Sequence, residues 1–122
     1  MEEKYSLSES EELIWEILQK ESPLSMQEII KCAKEQKDWA DSTIKTFVRR
    51  MVKKGALVEK QDKVMLFFPA YAEETRKKVM LQEVVDKFFK GAYQKALLCF
   101  CEEGQVTKEE LQEVMEQISR EE

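Results

Sequence analysis

The chain of 122 residues contains no histidine. That removes Ser-His-Asp and Cys-His nucleophile systems, histidine-ligated catalytic zinc and histidine pH sensing. Glycine and proline are scarce, with 3 and 2 residues, about 4% of the chain against roughly 12% in average usage. So few turn-formers argue against a many-stranded sandwich or barrel. No Gly-rich phosphate loop is available among 3 glycines. Long apolar runs are missing too: the longest covers residues 64–72, far short of the roughly 20 needed to span a bilayer. The N-terminus is acidic and opens no apolar run, so no signal peptide is expected. The 3 cysteines, an odd number without scaffold density, fit a reducing cytoplasm. Carboxylates abound, but no nucleophile-base pair accompanies them, and an enzyme is not expected.

What is present is charge, at 37% of residues with a net of −5. Its distribution matters more than its total. Residues 1–23 sum to −5, residues 24–70 to +4 and residues 71–122 to −4. A basic middle between acidic ends can attract an anionic partner while the whole molecule stays soluble.

Local signals mark the elements. Ser8-x-x-Glu11, Ser25-x-x-Glu28 and Thr107-x-x-Glu110 are capping boxes. Behind the first, Leu13, Ile14, Ile17 and Leu18 form a helical stripe that Ser22-Pro23 ends. Behind the second lie Met26, Ile29, Ile30 and Ala33. Asp38-Trp39-Ala40-Asp41-Ser42 reads as a polar turn with two candidate N-caps, and Trp39 as a core plug rather than a base contact. A third helix buries Ile44, Phe47, Val48, Met51 and Val52 and stops at Gly55. Two strand-like runs follow, Ala56-Leu57-Val58 and Val64-Met65-Leu66-Phe67-Phe68, flanking a polar tip, Glu59-Lys60-Gln61-Asp62-Lys63, with Pro69 closing the second strand. From Ala72 onward three more helical patterns appear, interrupted at Gly91 and Gly104. The predicted fold is mainly α with a small β-hairpin wing: a winged helix-turn-helix over residues 1–71, then a three-helix dimerisation domain over residues 72–122.

The third helix carries the candidate DNA-reading surface. Its outer face presents Ser42, Thr43, Lys45, Thr46, Arg49, Arg50 and Lys53. Cations beside hydroxyls are what a major-groove helix uses to reach base edges and phosphates. Lys60 and Lys63 in the wing are placed to touch flanking phosphates. The competing interpretations are a solvated helix face, or a winged-helix protein-interaction module without DNA binding. Such a module has no need to keep Lys45, Arg49, Arg50 and Lys53 together.

Gln36-Lys37-Asp38-Trp39, then Thr43-Ile44-Lys45-Thr46, Arg50 and Lys53-Lys54-Gly55 resemble the signature of the penicillinase-repressor family, which includes methicillin-resistance and copper-operon repressors. The resemblance runs from Leu7 through the wing to Lys90-Gly91 and the capped last helix. It implies a homodimer that binds double-stranded operator DNA with two-fold symmetric half-sites, because the protein dyad matches the DNA dyad. By position, Thr43, Lys45, Thr46 and Arg50 match the family's recognition helix. Ser42 stands where relatives are often basic, Asp41 where they often have proline, and Arg49 where one relative has a hydroxyl residue. These departures bear on which operator is read. In the beta-lactam branch a membrane sensor-protease triggers cleavage in the dimerisation domain at an Asn-Phe bond. Here the corresponding pair is Cys99 and Phe100.

The expected dimer interface comprises Val84, Val85, Phe88, Phe89, Leu97, Leu98, Phe100, Leu111, Val114, Met115 and Ile118. About 50 residues in three short helices make a poor solitary core, so pairing with a second copy is the physically favoured outcome. No cofactor is expected. Cys99 and Cys101 offer an alternative, a copper- or other metal-responsive repressor. Residues i and i+2 point about 200° apart on a helix, however, and do not share a metal without unwinding. Cys32 reads as packing.

Overall fold

The computed structural model describes residues 2–121. After a 3-10 turn at Glu3–Tyr5, the elements are α1 (Glu9–Lys20), β1 (Leu24–Ser25), α2 (Met26–Gln36), α3 (Asp41–Lys54), β2 (Leu57–Gln61), β3 (Met65–Pro69), α4 (Glu73–Phe89), α5 (Tyr93–Glu102) and α6 (Lys108–Glu121). The fold is mainly helical with a small antiparallel sheet in the order β1-β3-β2. Two compact units divide the chain, Met1–Met80 and Leu81–Glu122, so α4 begins in one and ends in the other. Among the described residues, no helix is long and apolar enough to cross a membrane.

In the first unit the capping boxes form as expected. Ser8 accepts from the Glu11 backbone N–H at 3.2 Å, while the Ser8 N–H donates to the Glu11 carboxylate at 2.9 Å. Ser25 and Glu28 repeat the exchange at 3.2 and 3.0 Å. Each box satisfies two of the N–H groups that a helix start leaves without partners. Ile14, Ile17 and Leu18 of α1 meet Ile29, Ile30 and Ala33 of α2 and Ile44, Val48 and Met51 of α3. Leu24, Leu57 and Phe67 close this core from the sheet side. Leu13, Met26, Phe47 and Val52, expected inside, sit half-buried at its margin. Trp15, outside the expected stripe, is buried beneath the ring of Tyr71 at a centroid distance of 4.7 Å.

Three local expectations change. The wing is part of a three-stranded sheet, because Leu24 and Ser25 pair with Phe67 and Leu66. Its tip shrinks to residues 62–64, since Glu59, Lys60 and Gln61 extend β2 opposite Phe67, Leu66 and Met65. Polar residues suit that strand because it lies at a sheet edge. Finally, α3 starts without a side-chain cap: Ala40 is the N-cap, and Asp41 sits inside the first turn, ion-paired to Lys34. There its negative charge favours the positive end of the helix dipole. The other end is as read. Gly55 adopts a φ of 88°, its N–H donates to the Val52 carbonyl, and the Ala56 N–H donates to the Met51 carbonyl. This is a Schellman stop, which favours glycine for its left-handed conformation.

In the second unit, residues 90 and 91 turn the chain at φ values of 53° and 81°. Thr107 and Glu110 form the third capping box, at 3.1 and 3.2 Å. Val85, 3% exposed, and Ala96 are its buried apolar residues among those described.

Candidate nucleic-acid interface

The candidate interface lies on α3, whose periodicity separates a buried face from an exposed one. Ile44, Val48 and Met51, at i, i+4 and i+7, enter the core and fix the rotation of the helix. That rotation leaves Ser42, Thr46, Arg49, Arg50 and Lys53 exposed, with Thr43 and Lys45 half-buried beside them. Ser42, Thr46, Arg49 or Arg50, and Lys53 follow one another at helical spacing and so line one stripe. The Thr46 hydroxyl donates to the Ser42 carbonyl at 2.9 Å, which orients its oxygen lone pairs outward.

Among the described residues, Lys45, Arg49, Arg50, Lys53, Lys60 and Lys63 form no ion pair with a carboxylate. Their charge is available to an external anion, with Lys45 also feeling the nearby Asp41 carboxylate. The nearby cation Lys34 is instead engaged by Asp41, and it holds the Asp41 carboxyl below its ordinary value through a direct hydrogen bond. Lys54, adjacent to Lys53 in sequence, turns away to the buried Glu11 at 2.9 Å.

The structure brings Lys45, Arg49 and Lys53 together along a groove between α3 and the wing, floored by Met26, Val52, Met65 and Phe67. Glu59 of β2 lines the same groove. Strand alternation puts Lys60 on the opposite face of the sheet, in a shallow depression with Pro23, Leu66 and Phe68. Lys63 alone of the two wing lysines lies in the tip. Trp39 packs edge-on against Phe47 at 5.2 Å and is half-buried against the core.

The predicted interface residues of the second unit fall into two groups. Val84, Phe88, Leu97, Leu98, Phe100, Val114, Met115 and Ile118 are exposed in the single chain, Phe88 to 67%. Val85 is buried, and Phe89 and Leu111 are half-buried. Leu81 and Tyr93 add to the exposed apolar surface. Cys99 is exposed and Cys101 half-buried, both in the last turns of α5. Among the described residues no cluster of three or more Cys, Asp or Glu side chains is arranged to hold a metal ion.

Sequence reasoning missed Glu59 as a member of the groove, since its role depends on strand register. It also missed the tertiary partners of Lys54 and Arg76, which no local pattern announces.

The sequence profile of the penicillinase repressor family matches residues 7–120. The chain belongs to that family. It is 28% identical over 111 residues to the methicillin resistance regulatory protein MecI of Staphylococcus aureus (strain N315), covering 90% of each chain. It is 28% identical over 109 residues to the penicillinase repressor of Bacillus licheniformis, covering 88% of this chain and 85% of that one. Among solved structures it resembles the monomeric form of Bacillus licheniformis BlaI in complex with the blaP half-operator, with a TM-score of 0.52 at 28% identity. That match covers 57% of this chain and 85% of the other. The DNA-binding domain of the repressor BlaI gives a TM-score of 0.54, also at 28% identity, over 60% and 90%. The family consists of transcriptional repressors, not enzymes, and the shared architecture is the winged helix.

Proposed function

We propose that the protein is a homodimeric repressor that binds a two-fold symmetric operator through α3 and is released by cleavage in its C-terminal helices. The observation that carries this reading is the stripe of hydroxyls and cations on α3, the cations without a carboxylate ion pair among the described residues, in a chain similar to a repressor solved on its half-operator. In this reading residues 1–71 contact DNA. Ser42, Thr43, Lys45, Thr46, Arg49, Arg50 and Lys53 enter the major groove, and Lys60 and Lys63 meet flanking phosphates. Residues 72–122 dimerise. The exposed Val84, Phe88, Leu97, Leu98, Val114, Met115 and Ile118 support this, because a single soluble chain rarely leaves so many large apolar side chains uncovered.

Dimerisation gives affinity through effective concentration. Once one head is bound, the other searches at a local concentration on the order of millimolar, an advantage lost when the tether is cut. The Cys99–Phe100 bond is the proposed cut, made when a membrane sensor-protease is activated by a beta-lactam or other cell-wall stress. Both residues are exposed near the end of α5. Fragment masses after incubation with the activated sensor test this step, and an intact chain alongside working induction refutes it.

Genomic fragments recovered on the purified chain test the main reading. The expected result is a dyad sequence upstream of a specific operon, with affinity falling steeply with salt. If Lys45, Arg49, Arg50 and Lys53 of both protomers each neutralise a phosphate, the slope of log K against log salt is about −7. Weak, sequence-blind binding refutes it.

A further inference from the structure

The inner face of the wing carries an acid where packing favours an apolar residue. Along β2, Leu57 is 2% exposed and Val58 is 40% exposed, so the strand alternates inward and outward. Glu59 returns to the inner side, opposite Phe67, which is 5% exposed in the core. Residues paired across an antiparallel ladder share a face of the sheet, so the register fixes Glu59 on the side of α3. Packing alone favours the opposite assignment, polar at 58 and apolar at 59. Glu59 lines the groove with Lys45, Arg49 and Lys53, above Met26, Val52, Met65 and Phe67. The three cations sit at i, i+4 and i+8, one row along the helix. None of them pairs with Glu59, which is exposed and forms no ion pair among the described residues. Asp41, the other acid beside this row, is engaged by Lys34.

We infer that Glu59 is a counter-charge that weakens the hold of each reading head on the DNA backbone. The inference rests on the repressor reading, in which Lys45, Arg49 and Lys53 meet phosphates. A phosphate drawn to that row of cations also approaches the carboxylate on the facing strand. Two like unit charges about 7 Å apart in water repel by about RT, which weakens a contact about threefold. A head that binds weakly alone depends on its tether to a second head for operator occupancy. Glu59 thereby makes the repressor's hold on DNA more sensitive to loss of the dimer, whatever causes that loss.

The test uses the full chain, a duplex with one copy of the half-site it selects from a random pool, and a duplex with the paired site. Glu59→Gln keeps the shape of the side chain and removes its charge. At about 20 mM salt, where screening is weak, this variant is expected to bind the half-site about threefold more tightly than the wild type. On the paired site both heads gain, and the expected tightening is about tenfold. At about 0.15 M salt the half-site gain is expected to shrink below about twofold, a dependence that altered packing does not produce. Glu59→Asp, which keeps the charge, is expected to stay within about twofold of the wild type on both duplexes. The sequence selected by Glu59→Gln is expected to match that of the wild type. Equal or weaker half-site binding by Glu59→Gln, a gain that salt leaves untouched, or the same gain in Glu59→Asp overturns the inference while leaving the repressor reading intact. So does a changed base preference, which makes Glu59 a reader of a base edge. A wild type that selects no sequence overturns the repressor reading itself, and this inference with it.

Discussion

Replacing Lys54 with Met removes the buried ion pair with Glu11 together with the Lys54 bond to the Ser6 carbonyl. Glu11 is 4% exposed, and its carboxylate is bonded to the Ser8 N–H and to Lys54, whose side chain is 17% exposed. Burial alone would push the Glu11 carboxyl up. The Ser8 N–H and the Lys54 ammonium outweigh it and hold the group below the ordinary glutamate value. A carboxyl whose native value is depressed stabilises the fold above its unfolded value, about 4.3, and that contribution is lost as the pH falls through the native value. In Lys54→Met the Lys54 contributions are lost while burial and the Ser8 bonds remain, so the carboxyl rises from its depressed native value and the stabilisation it supplies above about pH 4.3 shrinks. The gap to the wild type is then widest at neutral pH and narrows as acid neutralises Glu11. Removing one partner of a buried pair costs about 3–5 kcal/mol, and the partial exposure of Lys54 points to the lower end, about 3 kcal/mol at pH 7. In a unit of about 80 residues, each kcal/mol lowers Tm by about 4–8 °C, so the expected drop is about 12–24 °C. Trp15 and Trp39 are the chain's 2 tryptophans and both lie in the first unit, so intrinsic fluorescence follows its melting, at fixed protein concentration. Combining Lys54→Met with Glu11→Gln, which removes the stranded charge, is expected to restore part of the loss. A drop below about 4 °C at pH 7, or an equal drop at pH 7 and pH 4.5, refutes this account.

Three further outcomes are expected. Gly55→Ala forces a side chain into a φ of 88°, with its Cβ 3.4 Å from Lys4 Cβ, and lowers stability by about 1–2 kcal/mol in chemical denaturation. Phe88→Asp or Leu97→Asp places a charge on the exposed apolar face and yields a monomer of poor operator affinity; sedimentation as an intact, tight-binding dimer counts against that assignment. Arg49→Ala weakens operator binding and makes the salt slope shallower by about 2 for a dimer, one phosphate per protomer, if Arg49 meets the backbone. An unchanged slope with altered base preference reassigns it to a base edge.

Much of the fold was legible because its signals are local. A capping box spans four residues, and a helix stop needs one glycine in the right conformation, so the bounds of α1, α2 and the C-terminal end of α3 follow from nearest neighbours. The outer face of α3 was legible for the same reason, since Ile44, Val48 and Met51 leave only one rotation. What escaped reading was nonlocal or too short. β1 has two residues, too few to show alternation, and exists only because β3 offers it an edge. Lys60 looked like a turn residue because a solvated edge strand and a turn share the same polar composition. Asp41 resembled an N-cap but is drawn one position into the helix, where Lys34 meets it. Lys54 is indistinguishable in sequence from Lys53. Only the tertiary placement of Glu11, 43 residues away, makes one structural and leaves the other at the surface. Arg76 and Glu12, 64 residues apart, pose the same problem.

The unequal distribution of charge has a kinetic consequence. With a net of −5, the molecule is repelled on average by any polyanion it approaches. At physiological ionic strength that repulsion fades beyond roughly 8 Å, so what a passing duplex feels is the patch nearest to it. In the function proposed above, a duplex that approaches α3 meets cations that have no carboxylate ion pair among the described residues and is drawn in. Most encounters are thus sorted by orientation before any base is touched. A local patch can hold an anionic partner on a molecule whose net charge discourages lingering contact elsewhere.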